Sequence, residues 1–148
     1  FLSDPGKRLY HAFFSWDDHW VVFKRSLDWT HSELVIAPVR NGSAGAQNEW
    51  VVVTDGKYSD DKPQFSADGN TLYFTSNRDG YLCIWAVRLN HATKRPEGAP
   101  FAIQHFHNAE GWYSMAYNSF AVALSVAREK MVTNLVEPRS DIWMMKLE

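Results

Sequence analysis

His105 and His107, one residue apart around Phe106, have the spacing that most resembles a ligand set. Alternate residues of a strand point to one face, so the two imidazoles could share a zinc or manganese ion, with Glu110 as a third donor. Two histidines without a clear third ligand fall short of a site, so the pattern assigns no metal and no cofactor. Nucleophilic chemistry has no frame: Gly42-Ser43-Ala44-Gly45 is not a Gly-x-Ser-x-Gly elbow, and no strand-to-helix context surrounds it. Cys83, beside Ile84 and Trp85, has the setting of an inert buried thiol, and as the single cysteine it makes no internal disulfide. No glycine-rich loop opens a helix to cradle phosphate. The adjacent pairs Asp17-Asp18 and Asp60-Asp61 diverge on extended backbone, which argues against a shared proton within either pair. Lys24-Arg25 and Lys94-Arg95 read as solvated surface, and Asn41-Gly42-Ser43 matches a glycosylation sequon of low specificity. No catalytic residue emerges from these patterns.

The elements that would position such residues are strands. Helical patterning is almost absent, and short β-branched or aromatic runs are punctuated by Asp-Gly, Asn-Gly and Pro about every ten positions. With 148 residues, 45% hydrophobic and 22% charged, the chain is long enough and apolar enough for one domain with a core. No apolar run approaches the ~20 residues of a membrane helix. A net charge of −2 gives no electrostatic reason to expect nucleic acid or an anionic membrane.

Phe14-Ser15-Trp16-Asp17-Asp18, Phe65-Ser66-Ala67-Asp68-Gly69 and Leu124-Ser125-Val126-Ala127-Arg128 align on one another. Each opens a turn followed by a strand (20–23, 72–74, 131–132), a polar turn and a further strand (34–39, 82–89, 142–147). The spacing from position 15 to 66 is 51 residues, and from 66 to 125 it is 59. In the second unit four strands are expected, at 63–66, 71–75, 81–88 and 101–103, with Gly69 supplying the positive φ of a tight hairpin. Four short antiparallel strands per unit of this length is the pattern of a propeller blade. The expectation is all-β: three four-stranded blades at about 4–54, 55–104 and 105–148, in one domain, with residues 1–3 as the remnant of an outer strand.

The run Pro63 to Gly80, with Phe65-Ser66-Ala67-Asp68-Gly69 and Ser76-Asn77-Arg78-Asp79-Gly80, followed by Ile84-Trp85, resembles the TolB-type, WD40-like propeller repeat. Trp16, Ala67 and Val126 stand where that family has Pro. The resemblance implies a six-bladed ring used mainly for protein recognition, and it leans toward an extracytoplasmic location. Three blades make half a ring and would leave two sheet faces bare. The expected partner is therefore a second copy in a homodimer, each 1–3 segment completing the other chain's last blade, with a trimer, a filament or a piece of a longer propeller chain as the alternatives. Loops at one end of such a ring gather around the axis, which nominates Tyr10, Arg25, Trp29, Tyr58, Arg78, His105, His107 and Trp112 as a binding funnel for a protein or peptide, with His11, Asp60 and Asp61 nearby. The leading expectation is a non-catalytic interaction module; the alternative is a small-ligand or carbohydrate-binding or lyase-type propeller using the histidine pair.

Overall fold

The computed structural model describes residues 1–106 and 123–134. Among them the fold is all-β, with no α-helix. The first sheet comprises β1 (Arg8–Phe14), β2 (Trp20–Ser26), β3 (Ser32–Arg40), β4 (Ser43–Ala44) and β5 (Val51–Val52), the last two both pairing with β3. The second is a four-stranded meander of β6 (Asp61–Phe65), β7 (Thr71–Ser76), β8 (Cys83–Arg88) and β9 (Phe101–Gln104). A hairpin of β10 (Leu124–Val126) and β11 (Met131–Thr133) follows, and all of these pairings are antiparallel.

The central strands read as nearly continuous apolar runs because both of their faces are covered. Val22, Leu34 and Ile36 face the second sheet and meet Leu72, Phe74 and Val87 in the main core. Val21, Phe23, Val35 and Ala37 point the other way, and each is at most 1% exposed. The expectation that this outward face would lie bare is not met. Leu2 packs on it, Trp50 meets Phe23 edge to face at 5.0 Å, and the Trp50 Nε1–H donates to the Gly45 carbonyl at 2.9 Å. Residues 1–3 join no sheet in this chain.

The repeat is visible bond for bond in two turns. Ser15 Oγ donates to Asp17 Oδ1 at 2.6 Å, the Trp20 N–H donates to Ser15 Oγ at 3.0 Å, and the His19 N–H to Asp17 Oδ1 at 3.1 Å. Fifty-one positions on, Ser66 Oγ donates to Asp68 Oδ1 at 2.6 Å, the Thr71 N–H to Ser66 Oγ at 2.9 Å, and the Asn70 N–H to Asp68 Oδ1 at 3.1 Å. These hydroxyl hydrogen bonds hold both carboxyls below the usual aspartate range. Asp18 (φ 60°) occupies the left-handed position that Gly69 (φ 69°) fills in the second turn. The third hairpin departs from this pattern. Its loop is two residues shorter, the Ala127 N–H donating to the Lys130 carbonyl at 2.8 Å, so Ser125 sits within β10 opposite Val132 instead of closing the turn.

A second correspondence lies in the first strands of the two sheets. Each carries a β-bulge, in β1 between Tyr10 and Phe13 and in β6 between Asp61 and Gln64. Each bulge holds a non-glycine residue in the left-handed region, His11 at φ 49° and Lys62 at φ 51°. Strands β1 and β6 lie against each other, and β10 lies against β6 and β7.

Candidate functional site

Where the bulged strands meet, four titratable side chains converge. His11 Nδ1 is 2.6 Å from Asp61 Oδ1, Lys24 Nζ donates to Asp61 Oδ2 at 3.1 Å, and Lys62 Nζ lies 2.9 Å from His11 Nε2. The bulges explain the convergence: an extra residue rotates the chain locally, so that His11 and Lys62, 51 positions apart, aim at each other instead of alternating in register. The contacts are mutually consistent for one tautomer, in which Nδ1–H donates to Asp61 and the Nε2 lone pair accepts from the Lys62 ammonium. Asp61 is 4% exposed and Lys62 8%. Burial pushes the Asp61 carboxyl up, but the His11 hydrogen bond and the Lys24 charge outweigh it and leave the group below its ordinary value. Burial chiefly, and then the Lys24 charge, lower Lys62, while Asp61 opposes them. Among the described residues, Lys24 thus pairs with Asp61 while Lys62 Nζ lies against His11, so two lysine side chains and one carboxylate meet in this cluster.

Beside it, Asp60 turns the opposite way. Arg78 Nη2 donates to Asp60 Oδ1 at 2.9 Å, and the Asp60 side chain is fully buried. The divergence of Asp60 from Asp61 is as the extended backbone requires. The Arg78 guanidinium is boxed by the rings of Tyr58, Phe74 and Trp85, 5.2, 5.1 and 5.2 Å from their centroids. The loop carrying Tyr58 and Asp60 is tied to the first sheet, since the Ser32 N–H donates to the Tyr58 carbonyl at 2.9 Å and Ser32 Oγ to the Asp60 carbonyl at 2.6 Å.

Of the residues nominated from sequence, Tyr58 and Arg78 come together, and Trp85 joins them to His105 through an edge-to-face contact at 5.8 Å. His105 Nδ1 also meets Asp79 Oδ2 at 2.7 Å. Tyr10 lies within β1, opposite Lys24, and adjoins the cluster through its ring contact with His11. Arg25 is committed to structure, pairing with Glu33 at 2.6 Å and Asp4 at 3.3 Å. Trp29 stands apart on an exposed turn, 92% accessible, under the Arg8 guanidinium at 5.6 Å. His107, Glu110 and Trp112 lie outside the described residues.

Two sequence readings need correction. Lys24 and Arg25 are not solvated surface, because Lys24 is drawn to Asp61 of the second sheet and Arg25 to Glu33 on the neighbouring strand and to Asp4. Lys94 is 3% exposed and donates to the Gly69 carbonyl at 2.8 Å, pinning the loop after β8 to the Asp68-Gly69 turn. Lys24 and Lys62 were missed as site residues. The one sequence signal for Lys62 was its alignment with His11 in the repeat.

Elsewhere, Phe1, Phe14 and Val39 border an open cavity of about 410 Å³ with Asp17, Asp18 and His19 on its polar side. Comparison with protein-family models, curated proteins and solved structures finds no match to this chain. The TolB-type likeness therefore rests on the residues quoted for it.

Proposed function

We propose that the chain is a non-catalytic recognition module built from TolB-like propeller blades, and that it binds an acidic peptide segment at the inner-strand cluster. The five-stranded sheet is read as one blade with β4 as an addition, the meander as the second, and β10–β11 as the start of a third. The matched turns and paired bulges support a common unit, and the contact of β1 with β6 and of β6 with β10 fits inner strands gathered about an axis. The observation that carries the function is the cluster itself: among the described residues two lysines, Lys24 against Asp61 and Lys62 against His11, meet with one carboxylate, and burial makes such a surplus of charge costly. A glutamate or aspartate side chain from a partner would neutralise that surplus through charge-assisted hydrogen bonds.

A second copy completing the ring belongs to the same proposal. The face formed by Val21, Phe23 and Val35 is the counterpart, by repeat alignment, of the face that Leu72, Phe74 and Trp85 present to the first sheet. A neighbouring sheet would seat beside the Leu2 and Trp50 cap, against Phe1, Phe14 and Val39. Sedimentation velocity reads this directly: the proposal expects a two-chain particle, and a stable 17.0 kDa monomer at micromolar concentration overturns the ring.

The binding test is fluorescence anisotropy with a labelled Glu-Gly repeat peptide and its Gln-Gly counterpart. The Glu peptide alone should bind, weakening roughly 5–10-fold, about 1–1.4 kcal/mol, in Lys62→Met or Lys24→Met. Equal binding of the two peptides, or indifference to both substitutions, rejects the reading.

A further inference from the structure

We propose that Asp79, Cys83 and His105 form a zinc-binding site at the end of the second sheet. The three come from separate places that the fold brings together. Asp79 sits in the turn closed by the Gly80 N–H donating to the Asn77 carbonyl at 2.9 Å, and Gly80, at φ 92°, allows the chain to reverse there. Cys83 is the first residue of β8 and is buried. Ile84 pairs with Gln104 across β8 and β9, so the next step along both strands sets His105 beside Cys83, and cross-strand neighbours share a face.

The result is one thiol sulfur, one imidazole nitrogen and one carboxylate oxygen within 4.8 Å of one another. Zinc bonds of 2.0–2.3 Å place tetrahedral ligand atoms roughly 3.3–3.8 Å apart. The 2.7 Å contact of His105 Nδ1 with Asp79 Oδ2 must therefore open slightly, and both side chains reach solvent, at 47% and 21% exposure. A tetrahedral ion would complete its shell with water.

Two further contacts suit the thiol and imidazole as ligands. The Phe106 backbone N–H points at Cys83 Sγ at 3.4 Å, the kind of amide donor that supports a sulfur ligand. The Trp85 ring meets His105 at an interplanar angle of 86°, which orients the imidazole. Sulfur in the set disfavours magnesium and calcium, and the mixture of sulfur, nitrogen and oxygen suits zinc. Binding would form a Zn–S bond and release the Cys83 thiol proton to solvent, with no change of oxidation state. This inference is independent of the acidic-peptide reading, since the ligands lie at the other edge of the second sheet from Lys62.

The test uses the full chain, stripped with a chelator and titrated with zinc chloride by calorimetry and with cobalt chloride by absorption. One equivalent should bind, with sulfur-to-cobalt charge-transfer absorption in the near ultraviolet. Zinc at about a hundred times Kd should raise Tm by roughly 5–10 °C. Cys83→Ser should abolish the charge-transfer band. Should that variant fail to fold, His105→Ala and Asp79→Asn at the more exposed positions decide the matter, each weakening zinc at least about tenfold. Absence of the cobalt–sulfur band in the unsubstituted chain, substoichiometric metal, or unchanged affinity in both exposed variants overturns the proposal.

Discussion

Replacing Asp61 by Asn removes one charge while keeping the shape of the side chain, and so measures what holds the two repeats together at their bulges. Lys24 Nζ lies 3.1 Å from Asp61 Oδ2, a separation worth about 5 kcal/mol at an effective dielectric constant of 20, before the desolvation of both groups is subtracted. Breaking a buried pair from one side costs about 3–5 kcal/mol, because the partner charge is left buried and uncompensated. Lys24 and His11 keep 13% and 20% of their side-chain surface exposed, so water screens part of the loss and the expectation is about 3 kcal/mol. For a domain of this size that is a fall in Tm of roughly 6–12 °C. Urea unfolding followed by tryptophan fluorescence measures the difference, and the double variant Lys24→Met/Asp61→Asn should recover at least about 1 kcal/mol of it. A loss below about 1 kcal/mol, or no recovery in the double variant, would refute the reasoning that the cluster is a coupled, desolvated unit.

Asp18→Gly should stabilise the protein by about 0.5–1 kcal/mol, since it relieves a left-handed non-glycine residue where the equivalent turn has Gly69; thermal melts check it. Gly69→Ala should do the reverse by about 1–2 kcal/mol, the new Cβ being strained at φ +69° and 3.3 Å from Lys94 Nζ. Ser15→Ala and Ser66→Ala should each cost about 1–2 kcal/mol and agree within about 0.5 kcal/mol in chemical denaturation, because they remove the same hydrogen bonds. Asp61 has a folded pKa below its unfolded value, so the folded state binds fewer protons in acid. Its stabilisation is complete above the unfolded value of about 3.9 and is lost as pH falls through the folded one; urea midpoints from pH 7 to pH 2 should therefore fall less steeply in Asp61→Asn.

Much of the strand framework was legible in the sequence because turn chemistry brackets it. The expected strands at 71–75 and 101–103 differ from β7 and β9 by a single residue. The first strands were harder to read. Tyr10 was expected in a loop and lies in β1, and β6 starts at Asp61 instead of Pro63. In both strands a bulge at the second or fourth residue breaks the alternation that marks a strand, so the pattern is legible only beyond it. The same bulges account for the missed lysines. Lys24 beside Arg25 and Lys62 beside Pro63 look like surface charge until the chain is folded, because Asp61 lies 37 positions from Lys24 and His11 lies 51 from Lys62, and packing between repeats brings each pair together. His105 was noted for its spacing to His107, whereas among the described residues Asp79 and Trp85 reach it, from the preceding turn and strand.

The central claim is that surplus positive charge at the meeting of the two bulged strands is a recognition site. It is tested most directly by heteronuclear NMR of the labelled chain as the Glu-Gly repeat peptide is added. The account predicts shifts centred on the His11 ring and the side chains of Lys24 and Lys62, diminished by added salt and absent with the Gln-Gly peptide. Shifts centred on the cavity at Phe1 and Phe14, or no shift at the cluster, would contradict it.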